Sequence, residues 1–408
     1  MMDVRNNCRL CSSSTREVVN IGKSPAANNF HDKEGQKSTR YPLIVDFCDS
    51  CRCIQLRDCL DHEFLFSDYS YITPDVELLS EHYSKLIDYL NKNSFISSSS
   101  RCLELGSNKG LFLKHLQSHV CMVLGIDPAK NVAKLAIDSG IDTIPDFFTP
   151  RLAKKLLLDQ GTFDLIIARH MFAHNSDPKV LLDGMRNILS KKGTILIENA
   201  YAISTFSQGE FDQIYHEHMF YYSAQNMNNL LKKYGFKLID LLDSFIHGGT
   251  IVFLAGREEE RKPNSNVEKY LQEEEKYFLG DRMFIELNQQ ASYVKEKVLE
   301  ELNEDKKKNK LIGAYGATAK SFTMFTHLGL DKDIIKYCID TSPTKIGKFF
   351  PSFGIPVVSE EFFKSNPVDT LLITAWNYKN HIINKSESLF PKGTKLIFPL
   401  PRFEVHIV

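Results

Sequence analysis

Short apolar runs alternate with amphipathic stretches over most of this chain. Between Arg101 and about Gly256 the runs Cys102–Leu105, Met122–Ile126, Leu165–Ala168, Thr194–Glu198 and Thr250–Ala255 are strand candidates. Segments with helical spacing, such as Val180–Leu189 and Ala224–Tyr234, lie between them. That alternation predicts a parallel sheet wound with helices. Residues 257–309 change character. They are dense in charge, and Tyr270, Phe278, Phe284, Leu287, Val294, Val298 and Leu302 recur at helical spacing, which predicts two helices joining domains. Alternation resumes at Lys310, with strands expected at Leu311–Ala314, Ile335–Ile339, Thr370–Thr374 and Lys395–Phe398 and a helix near 320–328. This reads as a second, smaller doubly wound domain. Ahead of the first sheet, residues 61–100 read as a linker and a helix closed by the breaker run Ser97–Ser100. Residues 1–60 are rich in cysteine.

Length and charge narrow the function classes. A chain of 408 residues exceeds one typical core, so two or three domains are expected. Hydrophobic content of 43% and charged content of 25% are those of an ordinary globular protein. Fifty basic and 51 acidic residues leave a formal net charge of -1. That balance offers no field for a polyanion, so no nucleic-acid partner is expected. The start, Met1–Cys8, lacks the apolar core of a signal peptide, and no apolar run approaches the roughly 20 residues that span a bilayer. A cytoplasmic setting with no membrane partner is expected, and in it nine cysteines read as thiols or metal ligands and not as a disulfide framework.

Three constellations carry chemistry. Cys8-x-x-Cys11 and Cys48-x-x-Cys51 are two chelating turns, and together they supply the four thiolates of a closed, structural zinc site. Cys53 and Cys59 lie near enough to compete for one position. Next, the apolar run ending in Glu104 and Leu105 leads into Gly106-Ser107-Asn108-Lys109-Gly110 and then a helix. Glycines at a strand-to-helix turn let a ligand approach the backbone. Asp127, at the end of the next strand, suits a ribose diol. Strand, turn and distal acid together suggest a loop for S-adenosylmethionine (SAM), with Glu104 near its methionine ammonium. The Gly-x-Gly-x-x-Gly spacing of a dinucleotide fold is absent. Finally, Tyr215-His216-Glu217-His218 packs a phenol, two imidazoles and a carboxylate into four positions. Such a cluster can remove a proton. His170 and His174 follow the strand candidate Leu165–Ala168, at the strand end where doubly wound folds bind ligands.

Taken together these residues resemble the SAM-dependent sugar-nucleotide 3-C-methyltransferases, which make branched deoxysugars such as tetronitrose, mycarose and noviose. The resemblance runs close to full length. The paired cysteines match that family's N-terminal zinc-binding domain, Glu104–Gly110 its Glu-x-Gly-Ser-Asn-x-Gly loop, and Tyr215–His218 its Tyr-His-Glu-His block. Ala173-His174 matches its Ala-His pair. Asp68–Thr73 looks like its Tyr-x-Tyr-x-Ser segment, with Thr73 in place of serine, and His247–Thr250 its His-Gly-Gly-Ser. Gly313–Lys320 resembles its Gly-Tyr-Gly-Ala-x-Ala-Lys-Gly, with Ser321 in place of the last glycine. Asp340–Gly347 and Pro351–Pro356 resemble two further stretches, with Thr341-Ser342 and Ser352-Phe353-Gly354 as departures.

The resemblance implies a class I SAM methyltransferase sheet, a small N-terminal zinc-binding domain and a C-terminal Rossmann-like domain, in an α/β chain divided at 1–75, 76–256, 257–309 and 310–408. It implies C-methylation of a nucleotide-linked 4-keto-deoxysugar through an enolate, by a monomer. His218, oriented by Glu217, is the expected general base and Tyr215 its competitor, while His174 donates to the enolate oxygen. SAM is expected at Glu104, Gly106, Asn108, Gly110 and Asp127. The sugar-nucleotide is expected at Tyr71, Thr73, Glu198, His247, Gly316, Lys320 and Lys348. Three rivals remain at this stage: a small-molecule O- or N-methyltransferase, a zinc-containing nucleic-acid-binding protein, and a dinucleotide oxidoreductase with Asp340 on a ribose.

Overall fold

Strands that are buried on both faces set the framework. The computed structural model describes residues 2–66, 71–244 and 246–408, the side chain of residue 247 excepted. The central sheet has seven strands. Arg101–Leu105 and Phe163–Arg169 pair in parallel at its middle, and their interior residues are fully buried. This explains the unbroken apolar runs in the sequence, since helices cover both faces of such a sheet. Met122–Ile126 and Thr143–Ile144 extend it on one side, and Leu189–Ala200, Thr250–Arg257 and Phe236–Ser244 on the other. Numbered by chain position within the sheet, the order is 3-2-1-4-5-7-6, with Thr250–Arg257 antiparallel to both neighbours. The order reverses beside Arg101–Leu105, which opens a crevice at the carboxyl ends of the strands.

The C-terminal sheet has six strands in the order Val357–Val358, Cys338–Ile339, Ile312–Tyr315, Thr370–Ile373, Lys395–Phe398, Glu404–Ile407. The first five are parallel and the last is antiparallel. This is the expected doubly wound arrangement. The outer strands Val357–Val358 and Glu404–Ile407 were not expected, being short or exposed and therefore weakly patterned.

The N-terminal residues form an antiparallel sheet in the order Phe220–Tyr221, Ile54–Leu56, Arg40–Phe47, Arg16–Pro25. Its first strand comes from the distant Tyr-His-Glu-His region: Tyr221 pairs with Ile54 and Phe220 with Gln55. The cysteine-rich segment is thereby stitched to the loop that carries the catalytic candidates.

Two helices, Ser265–Phe278 and Arg282–Lys307, form as the periodicity predicts, with a break at Gly280 (φ 61°). They do more than link. Phe278 and Phe284 pack on Phe47 of the N-terminal sheet at ring separations of 5.7 and 5.2 Å. Buried Glu274 accepts from the backbone N–H groups of Ala224 (2.6 Å) and Gln225 (2.8 Å), so a carboxylate closes the start of the helix Ala224–Lys233. Among the described residues no helix is long and apolar enough to cross a membrane.

Candidate active site

The four expected cysteines meet. In each Cys-x-x-Cys turn the residue after the second cysteine donates its N–H to the first cysteine's carbonyl: Ser12 to Cys8 (2.8 Å) and Arg52 to Cys48 (2.9 Å). Ser12 and Arg52 both adopt left-handed backbone (φ 67° and 61°), so the two turns are copies of one bend. Sγ of Cys8 lies 3.5 Å from that of Cys51, and Cys11 the same distance from Cys48. All four sulfurs lie within 4.8 Å of one another. A tetrahedral ion with metal–sulfur bonds of about 2.3 Å needs sulfurs roughly 3.8 Å apart, so the set fits zinc and leaves no open position. Cys53, which reaches Gln55 Oε1 (3.6 Å) as well as the Cys8 and Cys51 thiols, and Cys59, which reaches the Leu56 carbonyl (3.9 Å), fall outside this four-sulfur cluster.

A cavity of about 730 Å³ lies where the N-terminal, central and C-terminal elements converge. One wall is the Gly106 turn. Gly106 has φ 67°, and a Cβ there would come within 2.8 Å of Met171 Cβ, so the backbone stays bare toward the cavity. Asp127 clamps the turn by accepting from the N–H groups of Asn108 (2.8 Å) and Ala129 (3.0 Å). A carboxylate has about four lone-pair directions, so two remain for a ligand. Asn108 clasps the segment above: its side chain donates to the Tyr71 carbonyl (3.1 Å) and accepts from Thr73 N–H (2.9 Å). Glu104 is buried, and its Oε2 has no hydrogen-bond partner among the described residues although it belongs to the cavity wall. Burial pushes this carboxyl up to about 7 despite Arg169 at 3.4 Å. An unpartnered buried carboxylate oxygen beside a bare glycine turn fits the ammonium end of SAM. Phe147 and Phe148, after the third strand of the sheet, also line this end. The sequence reading passed over them for want of a motif.

The opposite wall holds the Tyr-His-Glu-His residues. Tyr215 Oη lies 2.7 Å from His218 Nε2, and His218 Nδ1 lies 2.9 Å from the Gln213 carbonyl. A carbonyl can only accept, so Nδ1 carries the hydrogen and Nε2 presents its lone pair to the phenol. Burial, with Glu217 adding to it, lifts Tyr215 well above the usual phenol range, so Tyr215 rests as the phenol. His174 stacks between Phe66 (5.6 Å) and His218 (5.3 Å). Burial, reinforced by His218 and His62, holds its imidazole well below the usual range, so it is neutral and able to donate.

Three expectations about this region need correction. The orienting role expected of Glu217 goes to a backbone carbonyl, that of Gln213 on His218 Nδ1, while Glu217 Oε1 accepts from Asn28 Nδ2 (2.7 Å) of the N-terminal region. Glu198 does not face the substrate. It is fully buried and held by Arg169 Nε (2.7 Å) and His82 Nε2 (2.6 Å), which outweigh the effect of burial and keep it well below the carboxylate range. Lys348 points away, toward Asp32 (3.7 Å), while Lys345 lines the cavity, so the lysine of the Asp-x-x-Pro-x-Lys stretch is Lys345. The His247 side chain and the 68–70 part of the aromatic segment lie outside the described residues. Tyr71 and Thr73 do line the cavity. His216, between the dyad residues in sequence, is buried against Tyr41 instead (5.8 Å).

The third wall belongs to the C-terminal sheet. Gly316 (φ 103°) ends the strand Ile312–Tyr315, and a Cβ there would meet Ala375 Cβ at 2.6 Å. Asp340 accepts from Ala317 N–H (2.7 Å) and Ser342 N–H (2.8 Å). Lys320, at the start of the helix Ala319–Leu328, has a buried Nζ with no hydrogen-bond partner among the described residues, 4.1 Å over the ring of Trp376 and near the buried Glu210 and Asp212 carboxyls. Lys345 and Lys385 add positive charge along the same cavity edge. The Tyr315 hydroxyl donates to Glu360 (2.9 Å) there.

Known proteins match this chain in three consecutive blocks. A zinc binding domain profile matches residues 8–66, a methyltransferase domain profile 78–241, and a C-methyltransferase C-terminal domain profile 245–401. The chain is similar to C-methyltransferase NovU of Streptomyces niveus, with 29% identity over 401 residues that cover 97% of this chain and 96% of that protein. Among solved structures it is similar in part to magnesium protoporphyrin IX methyltransferase of Synechocystis PCC 6803 with bound SAM (12% identical, 46% of this chain, 87% of that one, TM-score 0.34). A SAM-dependent methyltransferase of Clostridium acetobutylicum is similar over 45% of this chain and 93% of its own (12% identical, TM-score 0.36).

Proposed function

We propose, from the premise that this chain is a SAM-dependent C-methyltransferase of the family that carries a zinc-binding domain, that its acceptor is a nucleotide-linked 4-keto-deoxysugar methylated at C3. The observation that carries this reading is the Tyr215–His218 hydrogen bond in the same cavity as the methyl-donor turn. An oxygen or nitrogen acceptor already has a lone pair. Carbon beside a ketone has none until a proton leaves.

The C4 carbonyl acidifies the C3 hydrogen. His218 Nε2 is the basic nitrogen of the dyad, because the Gln213 carbonyl holds the proton on Nδ1. The C3 proton reaches Nε2 directly once Tyr215 turns aside, or through the phenol, which passes on its own proton as it takes the new one. Tyr215 stays in competition for the first contact. Neutral His174 donates N–H to the enolate oxygen and so lowers the barrier where charge develops. Bound SAM supplies an electrophilic methyl group on a sulfonium. The bound donor would give that methyl to the enolate carbon and leave as the thioether, and the proton held on His218 would return to solvent.

Glu104, Gly106, Asn108, Gly110 and Asp127 are assigned to SAM, and Tyr71, Thr73, Gly316 and Lys320 to the sugar-nucleotide, with Lys345 in place of Lys348 and Glu198 left out. Unpartnered Lys320 at a helix start suits a diphosphate. Zinc holds the N-terminal fold and takes no part in the chemistry. The chain is taken to divide at 1–75, 76–256, 257–309 and 310–408. A panel of nucleotide-linked 4-keto-sugars, with products read by mass spectrometry and NMR, tests the reading. A new methyl on a ring carbon beside the ketone supports it. Methyl found only on oxygen or nitrogen overturns it.

A further inference from the structure

A buried tryptophan reaches across to the loop behind the proton-removing pair. Trp376 Nε1 donates to Asp212 Oδ2 at 2.6 Å, and the Asp212 carboxylate is fully buried. Two residues on, the Thr323 hydroxyl donates to the Ile214 carbonyl, also at 2.6 Å. Asp212 and Ile214 flank Gln213, whose carbonyl accepts from His218 Nδ1. The peptide joining Gln213 to Ile214 carries that carbonyl on one side and, on the other, the Ile214 N–H bonded to the Phe211 carbonyl (3.1 Å). Turning this peptide would break the His218 contact. Both grips come from the C-terminal sheet: Trp376 follows the strand Thr370–Ile373, and Thr323 lies in the helix Ala319–Leu328. The same helix start presents Lys320 to the cavity, with Nζ over the Trp376 ring.

We propose that Trp376, Asp212 and Thr323 are positioning residues that hold the Gln213 carbonyl against His218 and so fix the imidazole tautomer that makes Nε2 the base. None of the three needs to touch the reacting atoms. The wall assigned above to the nucleotide end is then also the wall that orients the base. The inference deepens the proposed function and rests on His218 acting as the base in it. A backbone carbonyl on Nδ1 does here what a carboxylate does in other histidine sites, and it does so only while its peptide is held.

The test has a substrate-free arm and a turnover arm. Protein labelled with nitrogen-15 at histidine reports each ring's tautomer by NMR, and His218→Asn identifies the His218 signals. The wild type should show one tautomer at His218, with hydrogen on Nδ1. Trp376→Phe, which keeps an apolar ring and loses the N–H, should give a mixture, as should Asp212→Leu. Asp212→Asn retains an acceptor and should restore the single tautomer. Turnover should fall tenfold to a hundredfold in Trp376→Phe, within what a positioned base contributes, with KM for acceptor and affinity for SAM within about twofold. Thr323→Val, a small change, keeps the test decisive if Asp212→Leu fails to fold. An unchanged tautomer in folded Trp376→Phe and Thr323→Val overturns the proposal, as does a loss confined to KM. If the wild type methylates no keto-sugar, the functional reading falls while the tautomer arm still judges this one.

Discussion

The Gly106 turn and the Gly316 turn are one backbone device used twice. Each glycine ends a central parallel strand in a left-handed conformation, and each is packed so closely that a Cβ would collide. Each turn is clamped by an acid from the neighbouring strand's end: Asp127 takes two backbone N–H groups at 2.8 and 3.0 Å, and Asp340 takes two at 2.7 and 2.8 Å. The charge around them is opposite. Among the described residues, Glu104 beside Gly106 has a carboxylate oxygen without a hydrogen-bond partner, and Lys320 beside Gly316 has an ammonium without one, although the Glu210 and Asp212 carboxylates feel its charge. The turn supplies close approach, and the flanking side chain chooses the sign of the ligand. On the proposed function, a cationic methyl donor at the first turn would meet an anionic nucleotide end at the second across one cavity.

The largest effects should come from filling the turns. Gly106→Val is expected to abolish SAM binding by calorimetry while sugar-nucleotide binding persists, and Gly316→Val the reverse. Loss of both ligands in either variant would break the comparison. Stripping zinc should follow in size. It is expected to lower the melting temperature and cut turnover about tenfold or more, because the strand Phe220–Tyr221 after the dyad pairs with the zinc-bearing sheet. SAM affinity should stay within about twofold, since the Gly106 turn belongs to the central sheet.

Lys320→Ala should weaken nucleotide-diphosphate binding on the order of tenfold, the scale of one lost charged contact, and leave SAM affinity unchanged. A fall in SAM affinity alone would reverse the assignment of the turns. The smallest effect is one of pH. Burial raises Glu104 to about 7, and the ammonium of SAM prefers the ionised carboxylate. SAM affinity should therefore weaken as pH falls below about 7, by at most tenfold per unit, and level off above it. Glu104→Gln should flatten that limb. Because the folded value lies above the usual carboxylate range, Glu104 contributes to stability most at low pH and loses that contribution as pH rises toward 7.

What the sequence revealed follows the same division between local and long-range effects. The zinc set was legible because Cys-x-x-Cys spacing itself encodes a chelating bend. Gly106 and Asp127 were legible because a strand, a turn and a second strand place them within one unit. The partners of the catalytic loop were not. Glu217 sits next to His218 in sequence and lines the same cavity, yet its Oε1 accepts from the distant Asn28. The group that does orient His218 is a backbone carbonyl, which every residue type has and no motif can mark. Glu198 looked like a strand-end ligand until Arg169 and His82 claimed both its oxygens. Lys345 and Lys348 are the two ends of a turn closed by the Lys348 N–H on the Lys345 carbonyl (3.0 Å), and periodicity does not mark which end faces the cavity.

The account stands or falls on proton removal. The direct measurement is exchange of the substrate's C3 hydrogen with deuterated water in the absence of SAM. The wild type should exchange it. His218→Asn should lose exchange by on the order of a hundredfold while still binding SAM and substrate, and His174→Asn should retain it. Normal exchange in His218→Asn with none in Tyr215→Phe would move the base to the tyrosine, and normal exchange in both would contradict the account.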